Sequence, residues 1–74
     1  MTRNEIVRVQ QYLRQVFGTD RITLEARKPG DPSCEVLVGG EFIGVIYRDE
    51  EEGEVSYDFN MAILEIDLPP AGPA

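Results

Sequence analysis

The sequence predicts an α+β domain in which one N-terminal helix packs on a four-stranded, mostly antiparallel sheet. Three observations predict it. Apolar residues recur at helical spacing only near the start of the chain, up to the glycine at position 18. From Ile22 onward they alternate with polar residues instead. The breaks between these alternating runs are short and rich in glycine, proline or acidic residues, so consecutive strands return beside one another.

The helix is predicted over 3–17. Thr2-Arg3-Asn4-Glu5 has capping-box spacing, the Thr2 hydroxyl accepting from the Glu5 amide while the Glu5 carboxylate reaches back. Ile6, Val9, Tyr12, Leu13, Val16 and Phe17 fill one arc of the wheel, and Arg3, Val7, Arg8, Gln10, Gln11, Arg14 and Gln15 fill the other. Ile22, Leu24 and Ala26 then alternate with Thr23, Glu25 and Arg27 as the first strand. Lys28-Pro29-Gly30-Asp31-Pro32 interrupts any ladder and forms a loop. Cys34, Val36 and Val38 share one face of the second strand, and Gly39-Gly40 supplies the turn of a hairpin. The third strand is Phe42-Ile43-Gly44-Val45-Ile46-Tyr47, and Asp49-Glu50-Glu51-Glu52-Gly53 is an acidic turn. The last strand begins at Glu54 with Val55, Tyr57, Phe59, Met61 and Ile63 in phase; the phase then switches to Ala62, Leu64, Ile66 and Leu68, which marks a bulge, a bend or a change of element. Residues 63–68 read as strand, with a short helix capped by Asn60 as the alternative. Residues 1–68 are predicted to form one domain and 69–74 a disordered tail of Pro, Ala and Gly.

At 74 residues there is room for one modest core. The single cysteine excludes an internal disulfide, no stretch has the length of a signal-peptide core, and no apolar run has membrane-spanning length, so the expected location is the cytoplasm. Net charge is −7 and uneven: residues 1–28 carry six basic and three acidic residues, whereas 29–74 carry Arg48 against eleven acidic ones. Such a chain, with an isoelectric point near 4.3, is expected to bind neither nucleic acid nor an anionic membrane. The two halves can instead attract each other, within one molecule or between two.

Catalysis finds little support. There is no histidine, so the commonest general base at neutral pH is missing. Cys34 sits among apolar residues and beside Glu35, both of which raise a thiol pKa, and is expected as a small buried hydrophobe. No nucleophile elbow or phosphate-cradling loop is present, since Gly39-Gly40 leads into a strand. No catalytic residue, metal ligand or cofactor is assigned. The acidic run Asp49, Glu50, Glu51, Glu52 and Glu54 lacks the calcium-loop pattern, and consecutive carboxylates diverge; Asp31, Glu35 and Glu41 do not complete a site. It reads first as a solvated tip, then as a docking patch for a basic partner, and only third as a cation site.

The third strand is apolar on both faces, and one helix covers only one of them. Ile43, Val45 and Tyr47 are placed on one face; Phe42 and Ile46, with Leu37, are placed on the other, where the C-terminal segment folds over them or they are scattered exposed apolars of no consequence, or else they form a contiguous patch that anchors a partner or a second copy. Gly44, in mid-strand, implies a bulge or room for an aromatic neighbour crossing over it rather than a ligand site. The helix arginines Arg3, Arg8 and Arg14 read as ordinary soluble surface, with Arg3 and Arg14 also placed to meet the acidic tip of a second copy.

Gly40-Glu41-Phe42-Ile43-Gly44-Val45, Tyr47-Arg48-Asp49-Glu50 and Ser56-Tyr57-Asp58-Phe59-Asn60-Met61-Ala62-Ile63-Leu64-Glu65-Ile66-Asp67-Leu68 resemble a family of short bacterial proteins of unknown function. The resemblance runs from the helix to Leu68. It implies a free-standing cytoplasmic bacterial protein and brings no activity, cofactor or site residue. The function expected is that of a non-enzymatic protein-interaction module or homodimer that uses an apolar sheet patch rimmed by acidic residues, with Leu37, Phe42 and Ile46 as anchors and Asp49 to Glu54 setting orientation. A small-ligand or divalent-metal domain using 49–54 is the alternative.

Overall fold

A computed structural model describes residues 1–72. The order is helix α1 (Arg3–Phe17), strands β1 (Ile22–Ala26), β2 (Ser33–Val38), β3 (Glu41–Glu51) and β4 (Glu54–Asn60), then a 3₁₀ turn at Glu65–Asp67. The capping box forms as the sequence dictates. The Thr2 hydroxyl accepts from the Glu5 amide at 3.1 Å, and a Glu5 carboxylate oxygen accepts from the Thr2 amide at 2.9 Å. Gly18 closes the helix in the left-handed region at φ 63°, its amide bonded back to the last turn.

The strands form one antiparallel meander in the order β1-β2-β3-β4. Both tight hairpins turn through two residues of positive φ, Gly39-Gly40 and Glu52-Gly53, the backbone that matches strand twist. The core lies between α1 and one face of the sheet, and comprises Leu13, Ile22, Leu24, Cys34, Val36 and Ile46.

α1 does not sit over the middle of that sheet. It packs along β1, where Gln10 Oε1 accepts from the Leu24 amide at 2.9 Å and Arg14 Nε donates to the Ile22 carbonyl at 2.8 Å. These are the outward backbone groups of an edge strand, and the helix satisfies them. Over β4 the cover is only partial, and its inward residues Tyr57 and Phe59 are half-buried.

Two expectations are corrected. First, Ile46 is not on the solvent side: it is 2% exposed and lies in the core beneath α1. The cause is a register shift. Val36 pairs with Gly44 but the next residue, Leu37, pairs with Phe42, so Ile43 is an extra residue in β3. The bulge inverts the alternation across it. Phe42 faces away from the helix together with Val45 and Tyr47, while Ile43 and Ile46 pack toward the core. Second, 63–68 is not a strand. Met61–Leu64 has no regular structure and Glu65–Asp67 is the 3₁₀ turn. Residues 69–72 carry no secondary structure, and 73–74 of the expected tail lie outside the described residues.

Candidate protein-interaction surface

Because α1 is displaced toward β1, an apolar groove opens between it and β4. Arg8, Val9, Tyr12 and Leu13 form the helix wall, and Ile46, Tyr57 and Phe59 form the floor, enclosing about 430 Å³. Tyr12 is 63% exposed although it belongs to the apolar arc of the helix, and Val16 and Phe17 on the same arc are exposed too. A helix normally buries such a stripe. Here only Leu13 of the arc is fully buried.

A charged cluster joins the start of α1 to the strands beside this groove. The Glu5 carboxylate, already holding the helix cap, accepts from Arg48 Nε at 2.6 Å and from the Tyr57 hydroxyl at 2.8 Å. One side chain thus ties the helix N-terminus to both β3 and β4. The Thr2 backbone bond, then Tyr57 and Arg48, push the Glu5 carboxyl down to about 2. The same contacts push the Tyr57 hydroxyl up, its bond to Glu5 foremost, and hold Arg48 firmly protonated.

The free edge of β4 borders the groove. Which of its backbone groups face outward follows from the ladder. The Arg48 amide donates to the Pro32 carbonyl at 2.8 Å, so even-numbered β3 residues point toward β2. Odd-numbered ones, Val45 to Glu51, point toward β4 and engage Asn60, Asp58, Ser56 and Glu54. Val55, Tyr57 and Phe59 are left with amides and carbonyls aimed away from the sheet, and among the described residues they have no backbone partner. β1 has its edge covered; β4 does not.

The residues singled out in the sequence do not converge. Phe42 is 56% exposed and Leu37 lies beside it across the β2–β3 ladder, on the face away from the helix. The C-terminal segment folds partly over that face, where Met61, Ala62, Leu64 and Asp67 line a shallow depression with Phe42, Val45 and Tyr47. Ile46 is on the opposite side. Asp49, Glu50, Glu51, Glu52 and Glu54 lie at the far end of the β3–β4 hairpin, roughly 25 Å along the strand from Phe42. They do not rim it. Glu50 is held by Arg48 Nη2 at 2.9 Å, and Glu51 faces Glu54 directly. No group of three or more acidic, histidine or cysteine side chains among the described residues is placed to hold a cation. Arg14 is occupied by the Ile22 carbonyl. Cys34 is buried, its thiol pKa raised by burial.

Sequence reasoning missed Tyr12, Tyr57 and Phe59 as a surface. Their apolar phase was visible, but that α1 leans to β1 depends on Gln10 and Arg14 reaching an edge not yet located.

Fold and surface together define a small helix-on-meander domain with one protected and one open sheet edge. The chain belongs to the family described as protein of unknown function (DUF3126), whose profile matches residues 5–67. Comparison with curated proteins and with solved structures finds no match. No helix among the described residues is long and apolar enough to cross a membrane.

Proposed function

We propose that this domain is a non-enzymatic protein-interaction module that works in the cytoplasm and binds through the apolar groove between α1 and β4. The observation that carries the reading is the apolar groove whose floor, half-buried Tyr57 and Phe59 over the buried Ile46, lies beneath a protruding Tyr12. Aromatic residues in a partly enclosed apolar groove are the side chains that dominate protein recognition, because they bury large area at small entropic cost. Catalysis is disfavoured by the lack of histidine and the buried thiol, and both carboxylates with displaced acidity, Glu5 and Asp31, are displaced downward and so stay ionised. The test is site-specific photo-cross-linking in cells. A photoreactive phenylalanine analogue at Tyr12 should give a discrete protein adduct, and the same analogue at Glu25, exposed on β1, should not. Equal labelling from both positions, or no adduct from Tyr12, removes the groove as the binding surface.

A further inference from the structure

We infer that the occupant of the open β4 edge is β4 of a second copy, paired antiparallel about a two-fold axis at Tyr57. The inference rests on the groove reading above, which it deepens by naming one partner.

The two edges of the sheet are unlike. The helix covers the β1 edge with two side-chain hydrogen bonds, whereas β4 offers Val55, Tyr57 and Phe59 amides and carbonyls in a row. Nothing in β4 blocks pairing: it contains no proline, no lysine and no bulge. An open row of this kind is a template for another strand.

Two-fold symmetry then restricts the register. An antiparallel pair of identical strands needs its axis normal to the sheet, which keeps both helices on one side and joins residues of like parity. Three registers leave five or more residues paired. Centring on Ser56 sets Glu54 against Asp58 of the other copy, twice. Centring on Asp58 sets Asp58 against itself. Like charges directly opposite are unfavourable. Centring on Tyr57 avoids both: Glu54 meets Asn60, Ser56 meets Asp58, and Val55 meets Phe59 on the groove side. In this register the outward groups of Val55, Tyr57 and Phe59 meet each other as hydrogen-bonded pairs. It is also the longest overlap, using all of Glu54–Asn60.

Pairing converts two four-stranded sheets into one of eight strands. The two grooves then form a single symmetric trough, floored by Ile46, Tyr57 and Phe59 from each copy. The acidic tips lie outside it at opposite ends, where they do not repel one another.

The test uses the intact 74-residue protein in sedimentation equilibrium and in isotope-filtered NMR of mixed labelled and unlabelled protein. Wild type should dimerise and give an intermolecular contact between the Ser56 and Asp58 Hα protons. Proline is tolerated on an edge strand when its missing amide faces outward. Val55→Pro should therefore keep the fold and weaken the dimer roughly five- to 150-fold, from two lost backbone bonds. Ser56→Lys places a cation opposite Asp58 twice and should tighten it roughly two- to 30-fold. If Val55→Pro does not fold, Ser56→Lys carries the test alone, and an unchanged or weaker dimer overturns the pairing. A wild type that stays monomeric to its solubility limit also overturns it, while the cross-linking result at Tyr12 separately decides the groove. A dimer whose contacts arise elsewhere, or one indifferent to Val55→Pro, overturns edge pairing and not self-association.

Discussion

Gly44→Ala isolates the contact on which the β3–β4 half of the sheet depends. A Cβ at this position meets the Asn60 carbonyl oxygen and lies 2.8 Å from Phe59 Cε1, closer than real Cβ contacts come. The Phe59 ring can swing, but doing so reshapes the groove floor. The Asn60 backbone cannot yield without opening the last rung of the ladder, Val45 with Asn60. The glycine is not in the left-handed region, so alanine is free of backbone strain and recovers roughly 0.4–1 kcal/mol from the unfolded chain. Because backbone is among the clashing atoms, overpacking costs about 2–3 kcal/mol, the upper part of the usual range, and the balance is a loss of about 1–2.5 kcal/mol. For a domain whose whole stability is about 4–11 kcal/mol, that lowers Tm by roughly 5–15 °C. Urea unfolding followed by circular dichroism measures it directly, with the m-value unchanged. A midpoint equal to or above wild type would refute the claim that β4 closes over Gly44.

The corrected face of β3 predicts a contrast: Ile46→Ala should cost about 2–5 kcal/mol and Phe42→Ala no more than about 0.5 kcal/mol, read from the same urea curves. Glu52 holds φ 52° in a two-residue turn, so Glu52→Asn, which makes the favoured Asn-Gly pair, should raise stability by about 0.5–1 kcal/mol in thermal unfolding. The Glu5 carboxyl lies at about 2 against an ordinary 4.5. A depressed carboxylate contributes stability fully above its unfolded value, so this contribution should be present above pH 4.5 and fade as pH falls toward 2. Wild type and Glu5→Gln should therefore differ most near neutrality and converge in acid, as seen in unfolding midpoints across that range; parallel curves would contradict the cluster. Cys34 should react with a thiol reagent only as fast as the domain opens, measured as slow labelling that accelerates in urea.

Much of the fold was legible because its signals are local. Thr2 and Glu5 cap the helix, Gly18 ends it, and Gly39-Gly40 turns the first hairpin, each needing only its neighbours in sequence. Gly44 was legible in kind, since both a bulge and a crossing aromatic occur there. What could not be read was which residue the bulge leaves unpaired. With Ile43 extra, alternation inverts and Ile46 moves from an expected surface anchor to the core. A period-two pattern carries no mark of such a slip when both phases are apolar. The strand reading of 63–68 failed for a related reason: alternation survives in Ile63-Leu64-Glu65-Ile66-Asp67-Leu68, but no strand lies alongside to pair with it. The candidate surface was least legible, because it is a difference between two edges of the sheet, one met by Gln10 and Arg14 and the other by nothing in the described chain.

Amide hydrogen exchange along β4, recorded at several protein concentrations, reads the state of the open edge residue by residue. In dilute protein exchange should alternate, with Ser56, Asp58 and Asn60 protected by β3 and Val55, Tyr57 and Phe59 exchanging freely. With rising concentration the second set should become protected as well. Val55, Tyr57 and Phe59 amides that exchange freely at every concentration would contradict an edge built to receive another strand.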